Sequence, residues 1–185
     1  MRDWAASNGD PDLSIQLEAY TAEGVLTGRV VADGRLLDML TSFASIVIED
    51  AVLAPFEGPP RHADAWSGID VDDLLAVVPP AATVTLFHAV WHGLTMDVGP
   101  YSIRGELPSL PGFDPARALA RPSGSFILVG RVAVELRGTG PGVVLKAHDH
   151  IWVNRYAVDS VSSDLELGFF FPGAIAEAAR QAKAG

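Results

Sequence analysis

Val25-Leu26-Thr27-Gly28-Arg29-Val30-Val31 and Tyr101-Ser102-Ile103-Arg104-Gly105-Glu106-Leu107 are the two stretches whose reading decides the fold. Each places a glycine inside a short run rich in β-formers, bounded by turn residues, and so reads as a strand. Aligning Gly28 with Gly105 brings their surroundings into step. Upstream of the first, Leu13 to Tyr20 alternates apolar and polar residues at period two, and Ala22-Glu23-Gly24 turns it back into a hairpin. Upstream of the second, Val84 to Trp91 holds the same place.

The correspondence continues downstream. Arg35 to Ser42 spaces Leu36, Met39 and Leu40 at helical intervals, with Asp33 placed to cap the turn. Its counterpart, Asp114-Pro115-Ala116-Arg117-Ala118-Leu119-Ala120, carries a helix-start signature, with an N-cap aspartate followed by proline at the first helical position. Ser45 to Leu53 and Ser125 to Leu136 then read as long strands. A polar loop, Phe56 to Gly68, follows the first, and the glycine-rich Arg137 to Gly142 follows the second. Asp72 to Val78, short enough for a strand although periodicity alone does not separate it from a buried helix, and the strand His150 to Val158 close the two units.

The expected architecture is therefore mainly β: two tandem related small barrel or sheet units, each with a short helix, plus a C-terminal helix. Residues 1–12 form a flexible N-terminus, 13–80 the first unit and 81–168 the second. Pro79-Pro80 marks the boundary, because proline interrupts both helix and ladder. Residues 169–185 hold the apolar plug Phe169-Phe170-Phe171 and an Ala-rich segment from Ala174 to Lys183 with high helix propensity. That segment is too short for stability alone, so it docks or frays.

Composition narrows the function classes. With 49% hydrophobic and 19% charged residues, the 185-residue chain has the apolar content for a core. A net charge of −10 opposes nucleic-acid binding and repels anionic membranes. The absence of cysteine removes disulfides, thiolate nucleophiles and Cys-based metal centres. No signal-like start and no long apolar run is present, which leads to the expectation of a soluble cytoplasmic protein without membrane contact.

The order of hairpin, short helix, long strand, glycine loop and closing strand resembles small barrels of the Sm-like and SH3-like kind. Gly28-x-Val30, Arg35-Leu36-Leu37-Asp38-x-Leu40 and Ile46-x-Ile48-x-Asp50-Ala51 also resemble uncharacterised bacterial domains of similar size. Neither resemblance carries catalytic residues across. Sm-like proteins commonly form rings on RNA, but the acidic balance argues against importing the RNA activity.

The sharpest polar candidate is His148-Asp149-His150, since alternation along a regular strand would place both imidazoles on one face, ready to share a ligand or metal. His88 and His92 are the candidate further ligands. Trp91, Trp152, Tyr156 and the Phe169 to Phe171 plug are candidate interface residues, because large aromatics anchor contacts. The acid pairs Glu49-Asp50 and Asp72-Asp73 read as solvating charge. No serine-nucleophile, phosphate-loop or HExxH motif is present. These readings lead to a non-enzymatic binding or assembly module that contacts a protein partner or another copy of itself, with no cofactor. The alternative is a small-molecule or metal-binding protein using the histidines of the second unit.

Overall fold

A computed structural model describes residues 14–31, 35–80, 89–109, 124–138, 144–163, 165, 167 and 170–178. The first half runs β1 (Ser14–Tyr20), β2 (Gly24–Val31), α1 (Leu36–Ser42), β3 (Ser45–Pro55), β4 (Arg61–Asp70), a 3-10 turn at Val71–Asp73 and the short β5 (Ala76–Val77). The second runs β6 (Val90–Val98), β7 (Tyr101–Ser109), β8 (Phe126–Leu136), β9 (Val144–Asn154), β10 (Val158–Ser163) and β11 (Ile175–Ala178). All described strands join one eleven-stranded sheet, in the order β11-β10-β6-β7-β8-β9-β5-β1-β2-β3-β4.

Within that order, β1 to β4 form one antiparallel meander and β6 to β9 another. In both, a later strand of the same half returns to pair with the first: β5 with β1, and β10 with β6. The second and third strands of each meander share an irregularity. The register shifts between Thr27 and Arg29 in one, and between Arg104 and Glu106 in the other. The glycine is needed at both places. A Cβ on Gly28 would lie 2.4 Å from Ile48 Cγ2, and one on Gly105 would lie 2.6 Å from Val129 Cγ1.

Opposite these glycines, Asp50 and Arg131 take left-handed backbone angles, with φ of 47° and 50°. A strand normally buries every second residue, yet here Ile48 and Ala51 share one core, and Val129 and Val132 the other. The alternation slips by one residue at each left-handed position. This is the signature of a bulge, which re-aims all side chains beyond it.

Two cores lie on opposite faces of the sheet. Ala19, Val77 and Trp152, in register across β1, β5 and β9, face the first core with Leu36, Leu40 and Ile48. Their neighbours Tyr20, Ala76 and Val153 face the second, with Met96, Tyr101, Ile103 and Phe171. Where β1, β5 and β9 pair, the residues are buried on both sides, so the two cores meet there through one layer of backbone.

Several expectations are corrected. The Ala-rich tail is not helical where it is described: Ile175–Ala178 adds to β10 as a parallel strand. Backbone pairing at a sheet edge satisfies those amides better than an isolated turn can, and tertiary context overrides propensity. The polar loop expected through Gly68 contains the ten-residue strand β4. The closing strand expected at His150–Val158 is two strands, β9 and β10, separated by a turn. Asp72 and Asp73 sit in the 3-10 turn, whose amide at Asp72 is capped by the Asp70 side chain. The predicted α1 is present, beginning at Leu36 without a side-chain cap. Asp33, the Asp114–Ala120 segment and most of the Val84–Trp91 stretch lie outside the described residues.

Candidate functional site at the junction of the halves

The polar side chains that link the two halves converge at one place. From β1, Glu18 and Tyr20 point across the short β5 toward β9. From β9, Lys146 and His148 meet them. Lys146 Nζ lies 2.6 Å from Glu18 Oε2, His148 Nε2 lies 2.6 Å from the Tyr20 hydroxyl, and Glu18 Oε1 stands 3.6 Å from the same nitrogen. β5 makes this approach possible, since it ends at Val77 while β1 and β9 continue past it on either side.

Tyr20 and His148 are withdrawn from water, while Lys146 stays exposed. The His148 side chain is 7% exposed, and Glu18 Oε1 is buried without a hydrogen-bond partner among the described residues. Burial lowers the His148 pKa below its ordinary value, and Lys146 lowers it further, against the opposing pull of Glu18 and Asp149. Burial also holds the Tyr20 hydroxyl well above the usual phenol range, reinforced by Glu18 and by Tyr101, whose ring stacks edge-on at 5.2 Å. Tyr101 is raised by burial as well. The chemistry follows: the Tyr20 hydroxyl keeps its proton and donates a hydrogen bond to Nε2 of a neutral His148 in the tautomer that carries its proton on Nδ1.

The arrangement differs from that of an activating proton relay. In an activating relay, the base and its orienting carboxylate occupy different imidazole nitrogens. Here the phenol and the carboxylate both face Nε2, and the phenol is held protonated.

The histidine pair is not brought to a common partner. His148 stands opposite Val132, a residue of the second core, while His150 stands opposite Gly130. Both line one open cleft, but they share no partner among the described residues. The His150 ring instead lies 6.2 Å from Trp91. Trp91 packs where a Gly130 side chain would go, with the Arg131 guanidinium 5.7 Å from its ring. His92 Nε2 pairs with Ser109 Oγ at 2.9 Å, and His88 lies outside the described residues. Among the described residues, no group of three or more His, Asp or Glu is arranged to hold a metal.

The aromatic candidates divide. Trp152 is buried in the first core, and Phe170 and Phe171 in the second. Tyr156 is 60% exposed, with Arg155 over its ring. Phe169 lies outside the described residues. Reading the sequence missed Glu18, Tyr20 and Lys146 as partners of His148. Their signal was faint: a glutamate and tyrosine two apart on a strand, and a lysine two before a histidine on another.

Beside the cluster, Val78, Pro79, Pro80, Arg131, His148 and His150 line part of an open cleft of 740 Å³. Elsewhere, Val31, Phe43 and Val47 stand exposed together around the end of α1, and β4 forms one edge of the sheet. Among the described residues, no helix is long and apolar enough to cross a membrane. Comparison with protein-family models, with characterised proteins and with solved structures finds no match.

Proposed function

We propose that the chain is a non-enzymatic binding or assembly module made of two tandem copies of one five-stranded unit, and that it engages another copy or a protein partner through β4. One observation carries this reading. β9 and β4 are the last strands of the two meanders, and β9 accepts β5 along its outer edge, whereas β4 has no second partner among the described residues. An unpaired strand edge is a template for a further strand. β4 contains neither proline nor lysine, two residues that commonly blunt such edges. The exposed Val31, Phe43 and Val47 lie near its C-terminal end, which pairs with the start of β3.

Light scattering after size-exclusion chromatography, with hydrogen exchange on β4, tests self-association. A concentration-dependent oligomer with β4 amides protected only in the associated state is the expected result. A monomer at all concentrations would remove self-association, and binding to a separate protein would then be what remains of the reading. The alternative, small-molecule or metal binding, draws on the cleft beside Arg131, His148 and His150. Metal analysis of untagged protein, with His148→Ala and His150→Ala as controls, tests its metal form.

A further inference from the structure

The cluster at the junction has a second property, independent of what β4 binds. Three polar contacts between β1 and β9 depend on the protonation state of one buried imidazole: the Tyr20–His148 hydrogen bond directly, and the Glu18–Lys146 and Glu18–His148 pairs through charge. With His148 neutral, Nε2 accepts from Tyr20. Once Nε2 carries a proton it can no longer accept, and the phenol, which keeps its own proton, must turn away or become an acceptor. The nearest anion is Glu18, whose Oε1 stands 3.6 Å from Nε2 without a hydrogen-bond partner among the described residues and whose Oε2 is held by Lys146 at 2.6 Å. The new cation would also stand beside the Lys146 ammonium.

The surroundings offer little else to receive the charge. From β1 the facing titratable groups are Glu18 and Tyr20, with Tyr101 of β7 behind the latter. From β9 they are Lys146 and Asp149. On β8 the residue directly opposite is Val132, and its neighbour Arg131 is engaged with Glu106 at 2.7 Å. After β5, the cleft is lined by Val78, Pro79 and Pro80, none of which titrates.

We propose that Tyr20, Glu18, Lys146 and His148 form an acid-sensitive latch between the two halves, closed while His148 is neutral and loosened when it is protonated. The direction of the linkage follows from the site. A histidine harder to protonate folded than unfolded contributes stability above its unfolded pKa, near 6.5, and that contribution is lost as pH falls from there toward the lower folded value. The loosening is local. The β1–β5–β9 ladder at Ala19, Tyr20, Ala76, Val77, Trp152 and Val153 should open before the outer strands.

The test is an NMR titration of the His148 ring in the full chain, together with hydrogen exchange corrected for intrinsic rates between pH 7.5 and 5. The expected results are a His148 midpoint below that of a free histidine, and exchange at the β5 ladder rising severalfold as His148 titrates. Tyr20→Phe removes the hydroxyl that holds the neutral form and should raise the His148 midpoint. His148→Gln can still accept from Tyr20 but does not titrate, so it should flatten the pH dependence of ladder exchange. Should His148→Gln fail to fold, the Tyr20→Phe midpoint decides alone. A His148 midpoint at or above the free value would overturn the proposal, as would ladder exchange in His148→Gln that tracks the parent chain.

Discussion

β9 and β4 occupy the same place in their meanders, yet one ends buried inside the sheet and the other is its edge. The difference is written in side-chain chemistry. β9 ends in Ile151, Trp152, Val153 and Asn154, all buried, with apolar groups presented to both cores. β4 carries exposed Arg61, His62, Asp64 and Asp70. One backbone arrangement thus serves as an internal joint where both faces are apolar, and as a solvent-facing edge where they are not.

That contrast is most sharply broken by Trp152→Ala. Trp152 is contributed by the second half but fills the first core, so its loss should cost about 3–5 kcal/mol. Urea unfolding measures the cost. Hydrogen exchange should place the damage around Leu36, Leu40 and Ile48 of the first core. Damage confined to the second half would mean that the joint is not shared.

Next in size are the two glycines of the bulges. Gly28→Ala and Gly105→Ala each force a Cβ against a β-branched neighbour and a backbone carbonyl, and each should cost about 2 kcal/mol. Nearly equal costs would sharpen the correspondence between the halves. A twofold or larger disparity would show that the bulges differ mechanically.

The smallest effect separates the two left-handed residues. Asp50→Gly relieves an unfavourable φ at the expense of an exposed pair with Arg29, and should fall within about 0.5 kcal/mol of the parent chain. Arg131→Gly relieves the same angle but also removes the guanidinium over Trp91 and the Glu106 pair, and should be worse by about 1 kcal/mol. Thermal melts of the two variants compare them directly.

What is legible in the sequence is local. Alternation from Leu13 to Tyr20 and the glycine turn identified the first hairpin, and the spacing of Leu36, Met39 and Leu40 identified α1. Gly28 and Gly105 were aligned from their neighbours alone, and they prove to sit at matching register shifts. β4 escaped because an edge strand with polar residues on its exposed side has the composition of a loop.

The candidate site was half legible. His148 stood out as chemistry, and His150 lines the same cleft, but the two share no partner among the described residues. Its actual companions Glu18 and Tyr20 lie 128 or more residues away in the chain.

The sequence by itself determined the first hairpin, the short helix α1 and the alignment of Gly28 with Gly105, since these depend on residues close in the chain. Only the tertiary structure decided that β5 inserts between β1 and β9, that β11 adds as a strand and not a helix, and that Glu18, Tyr20, Lys146 and His148 meet at one place. Those outcomes rest on pairing between distant strands, where burial and backbone hydrogen bonding across the sheet outweigh local preference.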